Sequence, residues 1–183
     1  AGRERLAQLE QLRNGIEQVM GLVGLQPVWP IRILVLRSSR SRPVSPALVR
    51  DAYLGAVRPS GPWPPETFRE CARLLIEANP ARLPPGLEAG LAEVFSTLEV
   101  EGGRVTLGRP PAPAARSLDW ARMHMLTVSP DYFGKLRTLI FNLSHGVEPE
   151  VAFRNAFGRS PGEIERLAQA YLAAGGFPTV PLF

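Results

Sequence analysis

Two short stretches carry residue types at spacings from which chemistry could be built: Arg69-Glu70-Cys71-Ala72-Arg73 and Leu87-Glu88-Ala89-Gly90-Leu91-Ala92-Glu93. In a helix, positions i and i+4 lie on one face, so Arg69 and Arg73 stand together with Glu70 beside them. The simplest reading is a charged surface on two amphipathic helices, with pairs worth a few tenths of a kcal/mol each. Cys71 is the only cysteine, which excludes an internal disulfide and a cysteine-rich zinc site, and a small inward-facing core residue is expected there. His124 sits between Met123 and Met125 with no acid or serine placed to complete a triad, so packing is its expected role. His145 precedes Gly146 near a helix end, where an imidazolium suits the dipole. Trp29, Trp63 and Trp120 stand beside prolines or loop starts and are read as core or lid packing.

The pattern His-Glu-x-x-His on a helix binds zinc through two imidazoles and uses the glutamate as general base, and a glutamate on the next helix supplies a third ligand. The stretch 84–96, which begins Pro84-Pro85-Gly86-Leu87-Glu88, and the hairpin that follows it resemble the gluzincin zinc metallopeptidases of the bacterial peptidase-MA-like group. There the second helix reads Trp-Leu-Asn-Glu-Gly-Leu-Ala-Glu-Tyr-Phe after a Pro-Pro connector. The resemblance extends to most of the chain, but residues 84–110 carry its specific part.

The resemblance implies a zincin-like fold, a peptidase activity and a zinc cofactor, and the match breaks at the metal. The two histidine positions fall on Arg69 and Arg73, the general base on Glu70, and the third ligand on Ala89. Glu93 falls on the acidic residue that orients a liganding histidine. An aromatic helix that borders the family's active site is shortened or absent around residues 129–135. Arginine stays protonated and offers only donors, so it cannot replace a histidine as ligand. Glu88 lies one residue from the ligand position, rotated about 100° around the helix.

The expectation is therefore a non-catalytic domain that keeps the scaffold and binds a peptide or protein through the former cleft. In it Arg69 and Arg73 pair with Glu93 and Glu70, and charge-assisted hydrogen bonds link the helices in place of the metal. The alternatives are a working metal-dependent peptidase rebuilt from Glu70, Glu88 and one histidine, and a purely structural or scaffolding module. The resemblance also implies export from the cytoplasm.

These residues need elements to position them. The chain has 183 residues with 45% hydrophobic content, enough for a real core in one domain, with an α/β part over 1–110 and a helical part over 111–183. No apolar run reaches the roughly 18 residues that cross a membrane. Net charge is +4, almost all of it arginine spread along the sequence, so a solvated surface is expected and nucleic-acid binding is not.

An amphipathic helix carries Leu6, Leu9, Leu12, Ile16 and Val19 on one face and ends at Gly21 and Gly24. Residues 31–36 form a strand, 38–46 a loop, and 53–58 a second strand or extended piece. The motif helices span about 66–78, stopped by Asn79-Pro80, and 86–95. Gly102-Gly103 turns a hairpin over 98–107. A proline-rich linker over 110–115 leads to helices at 118–126, 130–144, 149–157 and 161–174, the last opened by a capping box from Ser160 and Glu163. The predicted class is α+β: a small sheet of 31–36 and the hairpin, packed on the motif helices, with a helical carboxy-terminal half.

Overall fold

The computed structural model describes residues 1–38, 40–79 and 82–183. Its class is α+β. Among the described residues there are seven α-helices and two three-stranded sheets, not the single sheet expected.

Helix α1 (Gly2–Met20) buries Leu12, Ile16, Val19 and Met20 and ends at Gly21, which adopts φ 71° and donates its N–H to the Glu17 carbonyl. Its first turns depart from the amphipathic pattern. Leu6 is exposed, and Arg5 is buried instead, because its guanidinium meets three neutral oxygens: Arg58 O, Gly61 O and Gln8 Oε1, at 3.0, 2.8 and 3.0 Å. Trp63 lies under the same guanidinium and donates to Gln8 Oε1 at 2.7 Å.

The first sheet has the order β1-β3-β2, with β1 (Ile31–Val35) parallel to β3 (Ala52–Val57) and β2 (Val44–Val49) antiparallel to it. β2 corrects the sequence reading, which gave 38–46 to a loop. Pro46 reads as a strand breaker because it has no N–H to donate. Here β2 lies at the sheet edge and the register shifts between Val44 and Ala47, so the proline is accommodated in an irregularity. Ser39 of that predicted loop lies outside the described residues.

Helix α2 (Pro65–Glu77) and helix α3 (Pro85–Phe95) each begin with proline in the first turn, where a missing N–H costs no hydrogen bond. The predicted stop at Asn79-Pro80 falls partly on Pro80, outside the described residues. β4 (Glu99–Glu101) and β5 (Arg104–Leu107) pair through the Gly102-Gly103 turn, whose φ values of 54° and 83° only glycine adopts without strain. β5 does not extend the first sheet. Its free edge is taken by β6 (Val180–Pro181) near the chain's end, through Thr106↔Pro181 and Leu107↔Val180.

A 3-10 turn at Pro113–Ala115 interrupts the linker, and Ser117 caps α4 (Leu118–Val128) by accepting from the Trp120 N–H. The next helix, α5 (Leu136–Ser144), starts six residues later than the pattern predicts. Residues 130–135 form successive turns, because Pro130 gives no N–H and Gly134 takes φ 81°. α6 (Pro149–Phe157) and α7 (Pro161–Ala174) match the predicted bounds, and the Ser160–Glu163 capping box is present in both directions.

One hydrophobic cluster joins Leu12 and Ile16 of α1, Phe95 of α3, Val105 of β5, Trp120 of α4 and Ile164 of α7. Helices α3 and α4 approach closely at Gly90. A Cβ on Gly90 would stand 2.2 Å from the Asp119 carbonyl oxygen.

Candidate functional site

The motif helices α2 and α3 pack directly against each other, and the candidate residues lie along them in separate settings. On α2, Arg73 donates to Glu70 through Nη2 at 2.5 Å and Nε at 3.0 Å, and to Glu77 through Nη1 at 2.5 Å. These are i,i+3 and i,i+4 contacts within one helix, so they stiffen α2 and do not link it to α3. The hydrogen bonds that Arg73 donates to Glu70, with a smaller contribution from Glu77, hold its guanidinium charged well above the ordinary arginine value. All three side chains are partly solvated, so the network contributes on the order of a few tenths of a kcal/mol per pair. Arg69 is exposed and forms no ion pair among the described residues.

On α3, Ala89 is exposed and offers only a methyl group. Glu93 accepts from the Ser117 hydroxyl at 2.5 Å, which ties α3 to the residue that caps α4. Glu88 turns away from the Ala89 position and is nearly buried, receiving Arg82 in a two-pronged contact at 2.7 and 2.8 Å. The predicted link between helices through Arg69, Arg73 and Glu93 is therefore absent. Arg73 and Glu70 do meet, but on one helix, and Glu93 has turned to a hydroxyl on α4's cap instead.

The histidines stand apart from these groups. His124 is fully buried, with Nε2 at 2.8 Å from the Gly108 carbonyl and Nδ1 at 2.8 Å from the Tyr171 hydroxyl. A carbonyl only accepts, so Nε2 carries the proton and neutral Nδ1 accepts from Tyr171. Burial keeps both groups in that state: it lowers the His124 pKa and pushes the Tyr171 hydroxyl up to about 12. His145 is exposed at the end of α5, its Nδ1 at 2.8 Å from the Phe141 carbonyl. Glu70, Glu88 and a histidine are not gathered, and no three or more His, Cys, Asp or Glu side chains are placed to hold a metal among the described residues.

Cys71 is fully buried, and burial, reinforced by the neighbouring Glu70 charge, pushes its thiol up to about 12. Such a thiol stays protonated at neutral pH and is a poor nucleophile. The zinc plan thus fails on the chemistry of its donor set: two guanidiniums and a methyl stand where two imidazoles and a carboxylate would be needed.

Two concavities lie away from the metal-plan positions. One of about 540 Å³ sits between Gln8, Trp63, Phe68 and the outer side of β4, and another of about 410 Å³ lies between α1 and the segment entering β1. Neither is lined by Arg69, Glu70, Arg73, Ala89 or Glu93. The sequence reading missed the buried Arg5–Trp63–Gln8 group beside the first cavity. Its contacts to Arg58 and Trp63 span more than 50 residues, and no local pattern announces them. Compared with family models, with curated proteins and with solved structures, the chain matches none.

Proposed function

We propose that this chain is a non-catalytic, zincin-like domain related to the gluzincin peptidases, which binds a peptide or protein segment over the outer surface of α2 and α3. The observation that carries the reading is the state of the four metal-plan positions on two helices that pack together. Arg69 and Ala89 face solvent, and Arg73 holds Glu70 in a bidentate pair. Both carboxylate oxygens of Glu70 are engaged by that guanidinium. What the surface retains is a solvated guanidinium at Arg69 beside the Arg73 network, groups that recognise carboxylates and backbone carbonyls.

Metal content tests the catalytic half of this reading. Purified protein is dialysed without chelator, incubated with zinc, passed through a desalting column and weighed for zinc by mass spectrometry. Stoichiometry near zero, with no turnover of a labelled protein substrate, is expected. One zinc per chain that disappears on Glu70→Ala would establish a rebuilt site and overturn the proposal. For the binding half, peptides selected on the folded protein are expected to lose affinity on Arg69→Ala, and equal affinity for the variant would place recognition elsewhere.

A further inference from the structure

The arginines are not evenly distributed in three dimensions. Residues 21–58 hold six arginines and a single acid, Asp51, whereas the rest of the chain has 15 basic and 16 acidic residues. The net positive charge of the molecule therefore resides in the first sheet and its flanks. All six arginines are exposed, and none forms an ion pair among the described residues.

The strand register shows what these charges surround. Ile31 and Ile33 pack against the core together with Val57, so the alternate positions face outward. That outer face carries Arg32 and Leu34 from β1, and Val44, Ala47 and Val49 from β2, across Leu54 and Ala56 of β3. Leu34, Val44 and Val49 are 63%, 55% and 49% exposed. Trp29, just ahead of β1, is 41% exposed. Since β1 and β3 run parallel and β2 runs against them, Arg37, Arg40, Arg42 and Arg58 gather at one end of this face, while Arg50 occupies the turn at the other.

We propose that this face docks on an anionic lipid bilayer. Aliphatic side chains between unpaired arginines, with an exposed tryptophan just ahead of β1, suit the boundary between headgroups and acyl chains: the apolar groups leave water, the indole stays at the interface, and the guanidiniums fork onto phosphates. A nucleic acid meets the same arginines but gains nothing from Leu34, Val44 and Val49, because bases are read by stacking rings and polar groups. A second copy of the chain would set six arginines against six.

The test uses the full chain and two kinds of vesicle, phosphatidylcholine alone and phosphatidylcholine with about a third phosphatidylglycerol, read by co-sedimentation and tryptophan emission. Trp63 and Trp120 are buried, so a blue shift reports Trp29. Binding to the anionic vesicles alone, with a blue shift and with weakening as salt rises, is expected. The Arg37→Glu, Arg40→Glu, Arg42→Glu triple variant should lower partitioning by at least about a hundredfold, at roughly fivefold per arginine. Leu34→Ser with Val49→Ser should lower it by about tenfold or more while circular dichroism remains unchanged. Absence of binding at low salt, or equal binding to the neutral vesicles, overturns the proposal. So does unchanged vesicle binding by the Leu34/Val49 variant together with displacement of the vesicles by duplex DNA, because that result assigns the arginines to a polyanion.

Discussion

Gly90 has no room for a side chain. A Cβ there would meet the Asp119 carbonyl oxygen at 2.2 Å, its carbon at 2.7 Å and Met123 Cγ at 2.8 Å, and the first two are backbone atoms of α4 that cannot rotate aside. Gly90→Ala should gain about 1 kcal/mol of helix propensity and lose more than that through displacement of α4, for a net loss of roughly 2 kcal/mol or more. Gly162→Ala in α7 is the control, since a Cβ there would meet nothing within 4 Å. Urea midpoints for the two variants decide the matter, and equal midpoints would mean that the α3–α4 contact is softer than it looks. His124 gives a second expectation at this scale. Burial lowers its pKa below the ordinary value near 6.5, so between the two values the unfolded chain binds more protons than the folded one. The contribution is fully present above about pH 6.5 and is lost as pH falls through that window. His124→Gln should show a smaller drop in unfolding free energy from pH 7.5 to pH 5 than the parent protein, and parallel pH profiles would rule out His124 as the source.

At the scale of elements, those whose signals are local were legible and those that depend on distant partners were not. α7 could be bounded from sequence because Ser160, Pro161 and Glu163 form its capping box and Gly175 ends it, all within the helix's own neighbourhood. The hairpin was legible because two consecutive glycines permit one tight turn. β2 was hidden because Pro46 cancels the alternation of Val44 and Val49, and only its pairing with β3 reveals it as a strand. The helix pair α2–α3 was placed well, but the charged residues on it were not. Helical spacing puts Arg69, Arg73 and Glu93 on helix faces, yet nothing in it tells whether Arg73 reaches across to α3 or along α2 to Glu70 and Glu77. Short i,i+3 and i,i+4 distances favour the local choice, since the partners are already held in place by the helix backbone.

At the scale of the molecule, residues near the carboxy-terminal end close the core that the amino-terminal helix opens. Leu182 is buried over Gly15 of α1, and its carbonyl accepts from Gln18 at 2.9 Å, 164 residues away in sequence. The same segment completes the second sheet, because Val105 donates to the Phe183 carbonyl and accepts from the Leu182 N–H at 3.2 and 3.0 Å. Just before it, Phe177 stands edge-on to Trp120, with ring centroids 4.9 Å apart, and carries Arg116 on its face. Removing residues 178–183 therefore does three things together. It uncovers α1 at Gly15, strips Val105 of both outward hydrogen bonds, and leaves Phe177 at a frayed end. Loss of the Leu182 side chain alone should cost about 2–3 kcal/mol, and leaving buried Val105 unpaired adds about 1–3 kcal/mol. For a chain of this length each kcal/mol moves the midpoint by about 2–4 °C, so the truncated protein should melt on the order of 10 °C lower. Leu182→Ala separates the parts, for it removes the packing and keeps the strand, and should account for about half of the shift. A truncated protein that melts within about 2 °C of the parent would show that α1, the hairpin and α4 hold one another without this closing strand.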